Sequence, residues 1–309
     1  MDDHAKKSKL SARESANEAT LPAGPRSGDS AVVAEKLDGL RGSAQSTLFT
    51  VLAELAAPDA TTPIHTSSFL YVLSGMGFGE QAVRQAIARA DAAGWIEGEK
   101  RGRQTRWLLS QAAMRLISQG EERVFSWASS QATWDGQWLC LIISIPQARQ
   151  NVRRTLYAKL RWVGFGNPVP GLWITPHVER RDEAHSVIAE LGLEGCTLSV
   201  QGVPGGIGMQ ETEVIARSWD FEEIGKSYRV MLDAFGHLSP APGDEVLFAH
   251  LSLAHALRSF PLIDPQLPEV LLPDWIGRRA ARLFRDLRIA WTPAAHARWH
   301  EIVSRDAGK

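Results

Sequence analysis

At 309 residues and 44% hydrophobic composition, the chain is too long for one ordinary domain and apolar enough for each piece to bury a core. A formal charge of −1 at pH 7 excludes a chain-wide electrostatic grip on nucleic acid or acidic lipid, so any such grip has to be local. The longest apolar run, "WLCLIISI" at 138–145, falls short of the roughly 18 residues of a membrane span, and the polar N-terminus lacks a secretory apolar segment; a cytoplasmic protein with no membrane partner is the expectation.

Residues 1–38 are polar and nearly free of large apolar side chains, which predicts a disordered tail. From 43 onward Leu48, Val51, Leu52 and Leu55 recur at i, i+3, i+4, i+7, one stripe of a helix. "PDATTP" at 58–63 breaks it, and Phe69, Val72, Leu73 and Met76 form a second stripe. After the glycines of "GMGFG" a third helix turns Val83, Ile87 and Ala90 inward and stops at Gly94. Trp95–Glu97 and Arg103–Leu109 then read as two strands around a basic cluster of Lys100, Arg101, Arg103 and Arg106, with Ser110 placed to cap a further helix. Helix, helix, glycine turn, helix and hairpin is the order of a winged helix-turn-helix.

The third helix is the candidate reader. With Val83, Ile87 and Ala90 inward, Gln81 and Gln85 face outward with Arg84 and Arg89 flanking them. Guanidinium pairs bidentately with guanine and carboxamide with adenine in the major groove. The hairpin, acting as the wing, carries Lys100, Arg101, Arg103 and Arg106 toward phosphates.

A new unit begins near 131. The strand at 138–145 stops at Pro146, a helix over 147–166 turns Val152, Leu156, Leu160 and Val163 inward, and strands at 172–176 and 196–203 flank a helix at 179–192. Strands alternating with helices predict a ferredoxin-like α+β domain of βαββαβ type. Cys140 and Cys196 lie in apolar runs without CxxC spacing and read as buried free thiols.

The remainder is helical. Stripes recur at 219–235 and 244–257, and Asp274 is placed to cap a helix over 274–287. The predicted division is a tail at 1–38, a winged helix at 39–130, a ferredoxin-like domain at 131–210 and an all-helical domain at 211–309. Arg278, Arg282 and Arg285 form an i, i+4, i+7 stripe that suits a solvated face or a phosphate-bearing ligand. His296 and His300 are one helical turn apart but lack the glutamate and third ligand of a zinc site. "GGIGMQE" at 205–211 has neither the glycine spacing nor the lysine of a phosphate loop, so it reads as an interdomain joint. No cofactor, metal or catalytic motif emerges.

Several separated segments in order resemble the PaaX family of phenylacetic-acid-degradation repressors: "GFGEQAVRQAIARADAAGWI" with "RGRQTRWLLS", "WDGQWLCLIIS" with "LRWVGFG", and "DPQLPEVLLPDWIGRRAARLF". The resemblance covers about residues 40–290. It implies an N-terminal winged helix, a central domain similar to the Cas2 fold and a helical C-terminal domain. It also implies a homodimeric repressor that leaves operator DNA when an aryl-CoA thioester, typically phenylacetyl-CoA, binds. DNA contact then falls on Gln81, Arg84, Gln85 and Arg89 and on the basic hairpin. Arg153 and Arg154, or Arg278, Arg282 and Arg285, are candidate partners for the thioester's phosphates. Another acyl-CoA or a free aromatic acid is the alternative effector. A metal-dependent nuclease is the remaining alternative; against it, the first central strand ends "ISIP" at 143–146, without the metal-binding aspartate of Cas2 nucleases.

Overall fold

The structure, a computed structural model, describes residues 42–101, 104–118, 134–203, 207–258 and 260–307. The tail at 1–38, the Arg103 position and residues 205–206 of the expected joint lie outside the described residues. Among the described residues no helix is long and apolar enough to cross a membrane.

Helix α1, Ala44–Val51, starts at Ser43, whose hydroxyl oxygen accepts the Ser46 N–H at 3.2 Å. It continues into a π turn, Leu52–Ala56, all five residues of which are buried. Such a turn inserts an extra residue into the helical stagger, and here it carries Glu54 inward along with the apolar stripe. The chain passes through a short strand β1, Ile64–His65, into helices α2, Thr66–Gly75, and α3, Glu80–Ala92. Helix α3 ends in a Schellman turn: the Trp95 N–H reaches the Ala90 carbonyl at 2.8 Å and the Gly94 N–H the Asp91 carbonyl at 2.9 Å. Gly94 has φ +69°, a conformation that favours glycine. The turn feeds directly into strands β2, Ile96–Arg101, and β3, Gln104–Leu109, which with β1 form an antiparallel sheet of order β1-β3-β2. Ser110 ties off the hairpin: its N–H donates to the Trp95 carbonyl at 3.0 Å, and its side-chain oxygen accepts the Ala113 N–H at 3.1 Å, capping helix α4 at 111–118.

The central part runs β4 (Trp138–Ile143), a 3-10 turn (Gln147–Val152), α5 (Arg153–Val163), β5 (Gly166–Val169), β6 (Leu172–Thr175), α6 (Arg181–Glu190) and β7 (Thr197–Gly202). The sheet order is β5-β6-β4-β7 with every neighbour antiparallel, the βαββαβ arrangement the sequence predicts. Strand β5 has no clear sequence signal, since "GNPV" pairs only at its two ends across a register shift. Helices α5 and α6 cover one face, packing Leu156, Leu160 and Ile188 over Leu139, Leu141 and Trp173 of the strands. On the other face Trp138 and Ile174 meet Ile215, Leu267 and Leu271. The expected helix over 147–166 is a true α-helix only over Arg153–Val163, closed by Gly164 at φ +99°. Both cysteines are free but half-buried rather than buried, and partial burial pushes the Cys140 thiol pKa up.

Helices α7 (Glu211–Ser218), α8 (Phe221–Phe235), α9 (Asp244–Leu257), α10 (Phe260–Ile263) and α11 (Ile276–Ala307) complete the chain. Two expectations change here. Asp274 does not cap α11; it lies two residues before the helix with φ +55°. The helix also passes the expected end at 287 and runs 32 residues through Pro293. The carbonyl that Pro293 leaves unpaired belongs to Ile289, itself 66% exposed, so water can take the missing donor's place.

Segments from both ends of the chain share one core. Leu247, Phe248 and Leu251 of α9 and Ala295, Trp299, Ile302 and Val303 of α11 pack with Leu48, Leu52, Phe69 and Leu73 of the first helices. Gly75 admits Phe248 to this junction, since a Cβ there would lie 2.2 Å from the phenyl Cζ. Trp299→Ala is therefore expected to cost about 3–5 kcal/mol in urea unfolding, whereas a cost below about 1 kcal/mol would mean separate cores.

Candidate nucleic-acid interface

Helix α3 divides cleanly. Val83, Ala86, Ile87 and Ala90 are buried, while Gln81, Arg84, Gln85, Ala88 and Arg89 are exposed on the remaining surface. Gln81, Arg84, Gln85 and Ala88, with Glu80, line a shallow concavity on that side. The Arg84 guanidinium is drawn along the helix by Glu80, with Nε and Nη2 at 2.8 and 2.7 Å from the same carboxylate oxygen. Both side chains are half-exposed, and such an i, i+4 pair is worth only about 0.3–0.5 kcal/mol, too little to withhold Arg84 from a stronger partner.

The basic hairpin is less uniform than its sequence. Lys100 is exposed opposite Thr105, and the Arg101 backbone pairs with Gln104 at the end of the ladder. Arg103 and the Arg101 side chain lie outside the described residues. Arg106 stands on the third rung from the turn, between Glu99 on β2 and His65 on β1. It is half-buried, and its Nε is enclosed without a hydrogen-bond acceptor. The alternation that turns Trp107 toward the core turns Arg106 to the opposite face of the sheet. Trp107 also donates its indole N–H to the Thr66 hydroxyl at 2.9 Å, fastening the hairpin to the start of α2.

Polar contacts not foreseen from the sequence hold these helices against the C-terminal part. Glu54 is 8% exposed; its Oε2 receives Arg288 Nε at 3.1 Å and Nη2 at 3.0 Å, and lies 3.2 Å from Nε2 of the fully buried His250. His250 is close enough to polarise the carboxylate but too poorly aligned for a formal hydrogen bond. His296 Nε2 sits 2.9 Å from the Glu54 carbonyl oxygen, while His300 is exposed, so this histidine pair does not act as a unit. Further along, Tyr71 donates to Asp244 at 2.7 Å and receives Arg298 at 2.9 Å, and Arg298 also donates to Asp244 at 2.8 Å. The hydroxyls of Ser67 and Ser68, in the first turn of α2, donate to Asp306 at 2.6 and 2.8 Å. The one sequence signal for this set was a glutamate inside the apolar run "LAELAA".

The candidate ligand arginines do not form one cluster. Arg153 and Arg154 are exposed at the start of α5. Arg278, half-buried, donates to the Leu272 carbonyl and, at 3.4 Å, to the Leu267 carbonyl, which commits it to the segment before α11. Arg282 is exposed, and Arg285 sits 3.3 Å from Asp286. Among the described residues no group of three or more His, Cys, Asp or Glu side chains is placed to hold a metal ion.

Fold and sequence together define a mixed α+β, multidomain protein with a βαββαβ centre and a helical C-terminal part. The model for PaaX-like protein matches residues 43–113, that for the PaaX protein central Cas2-like domain matches 131–214, and that for the PaaX-like protein C-terminal domain matches 219–301. The chain belongs to the PaaX family. It is 28% identical over 245 residues to "Transcriptional repressor PaaX" of Escherichia coli (strain K12), covering 76% of each chain. A solved structure, "Uncharacterized protein Rv0674 from Mycobacterium tuberculosis", shares the fold with TM-score 0.54 and 19% identity, over 82% of this chain and 96% of that one.

Burial pushes the Glu54 carboxyl pKa up, but His250 and the Arg288 charge more than offset it and leave it below the ordinary value of 4.5. Stability from this group is therefore complete above pH 4.5 and is lost as the pH falls through the lower folded value. Glu54→Ala, which strands Arg288 and His250, is expected to cost about 3–5 kcal/mol at pH 7. In unfolding measurements the gap from wild type should stay constant between pH 7 and 5 and narrow only in stronger acid.

Proposed function

We propose that the chain is a cytoplasmic, DNA-binding transcriptional repressor that acts as a homodimer on a palindromic operator. In this reading residues 39–130 are a winged helix-turn-helix, with α2 and α3 as its helix pair and β2–β3 as its wing. Residues 131–210 form the ferredoxin-like unit and 211–309 the helical one. Helix α3 enters the major groove, where Arg84 and Arg89 suit guanine and Gln81 and Gln85 suit adenine. Lys100, Arg101, Arg103 and Arg106 supply phosphate contacts, which add affinity without sequence preference.

The observation that carries the reading is the exposed glutamine–arginine face of α3, joined through a single glycine turn to a basic hairpin. The relative named a transcriptional repressor supports it and favours a regulator over an enzyme. The effector in this reading is an aryl-CoA thioester such as phenylacetyl-CoA, with another acyl-CoA or a free aromatic acid as the alternative. Moving the protein from 99:1 in favour of the DNA-binding form to 1:99 requires a differential affinity of about 5.5 kcal/mol.

The test is operator binding as a function of salt. Each neutralised phosphate contributes about −0.9 to the slope of log K against log salt. Replacing Arg101, Arg103 and Arg106 together by alanine is expected to flatten the slope by about two to three and to weaken all sequences alike. Gln85→Ala is expected to relax base preference and leave the slope unchanged. An unchanged slope in the triple variant, or unaltered preference in the Gln85 variant, counts against these roles.

A further inference from the structure

The central part contains a pocket of about 190 Å³ between the end of β4, the turn joining β5 to β6, and the first turns of α5. Its floor is apolar. Ile143, Leu156 and Trp173 are all at most 5% exposed. Tyr157 meets Trp173 edge-on, with ring centres 4.6 Å apart at 83°. The Ile143 N–H donates to the Gly171 carbonyl at 2.8 Å, which pins the β5–β6 turn against β4. The mouth is polar and open: Gln150 and Arg153 are both exposed there.

Arg153 is held without being consumed. Its guanidinium carbon lies 5.4 Å from the centre of the Tyr157 ring, and Nη2 donates to the Tyr157 hydroxyl at 3.2 Å. Among the described residues no carboxylate pairs with it. An oriented guanidinium with free N–H groups above an aromatic-lined recess asks for an anion or carbonyl oxygen carried on a small apolar body. Size narrows the body. An enclosed apolar cavity of about 150 Å³ accommodates benzene, so this half-open recess of about 190 Å³ has room for a single aromatic ring.

We propose that this pocket binds the aryl-acyl group of a monocyclic aromatic acid or its thioester, ring inward against Ile145, Tyr157 and Pro170 above the buried Leu156 and Trp173, with the acyl oxygen facing Arg153. The proposal rests on the effector reading above and gives it a location. The carboxylate of a free acid and the carbonyl of a thioester present the same chemistry to Arg153; a thioester's remaining chain leaves through the open mouth.

The test uses the full chain and two surface substitutions, Arg153→Glu, which reverses the charge, and Gln150→Trp, which plugs the mouth. Calorimetric titration with phenylacetate and with phenylacetyl-CoA, with CoA alone as the blank, identifies which source is bound. At least one aryl probe is expected to bind the wild type at one site per chain. Each variant is expected to weaken that binding at least tenfold with its melting temperature unchanged. Aryl binding as tight in both variants as in the wild type overturns the proposal, as does the absence of binding by both probes. Operator retention is read separately. If the wild type holds no operator, the repressor reading fails while the calorimetry still judges the pocket. If thioester releases operator from both variants as it does from the wild type, the pocket fails and the repressor reading stands.

Discussion

Burying Glu54 in the π turn that continues the first helix commits the last helix to lie beside it. An ionised carboxylate at 8% exposure is tolerable only with a cation at hand, and the cation comes from Arg288, 234 residues further on. A buried pair of this kind adds little net stability over a well-packed apolar substitute, because desolvation consumes the Coulombic gain. What it adds is register. Leucine and tryptophan side chains in the shared core tolerate sliding by a fraction of a turn, whereas Glu54 accepts Arg288 in one alignment of α11 on α1. The π turn at Leu52–Ala56 is part of the same constraint, since it carries the carboxylate inward without breaking the stripe of Leu48, Leu52 and Leu55.

That alignment has consequences at both ends of α11. Thirty-two residues span about 48 Å at 1.5 Å per residue. Near its start Arg278 holds the carbonyls of Leu267 and Leu272, and near its end Asp306 receives both serine hydroxyls of the first turn of α2. Arg298, through Asp244 and Tyr71, grips the same α2 from its flank. Helix α2 in turn packs beside α3, whose outer face carries Gln81, Arg84 and Gln85. Contiguity of this kind does not by itself transmit a signal; transmission requires an element with two alternative positions. The contacts do specify what a shift of α11 has to break: the Asp306–serine bonds and the Arg298 bridge.

Much of this architecture was legible because helical periodicity is a repeated signal. Val83, Ile87 and Ala90 face inward as their spacing requires, and Gly94 ends α3 as a glycine after the last periodic residue should. The illegible parts share a physical reason: each depends on a partner distant in sequence. Strand β5 looks like a turn because glycine and proline dominate it, and it is a strand only because β6 returns alongside. The last helix, expected to end at 287, continues because its second half is held in place by packing against α9 and α2. Arg106 belongs to a basic cluster in sequence, while the pairing of β1 with β3 sets it between His65 and Glu99. Arg278, Arg282 and Arg285 share a helical face, but only Arg278 finds carbonyls within reach.

The segment before α11 shows how a loop-like composition becomes a joint. Residues 264–275 contain three prolines, and two residues in this stretch, Gln266 and Asp274, adopt φ values of +61° and +55° that side chains disfavour. Such conformations persist only where surroundings over-determine them. Asp264, 4% exposed, supplies much of that determination: it accepts Tyr228 Oη at 2.6 Å, Trp275 Nε1 at 2.9 Å and the Gln266 N–H at 2.8 Å. From the other side His177 Nε2 approaches the Pro265 carbonyl at 2.9 Å, and Arg180 donates to the Gln266 side chain at 3.2 Å. The two sides belong to different parts of the chain, the helical C-terminal part and the βαββαβ centre. A flexible connection would let those parts reorient freely. Asp264 instead fixes the shape of this stretch from within the C-terminal part, and His177 and Arg180 dock the shaped stretch on the centre, so a reorientation of the two parts has to break the His177 and Arg180 contacts.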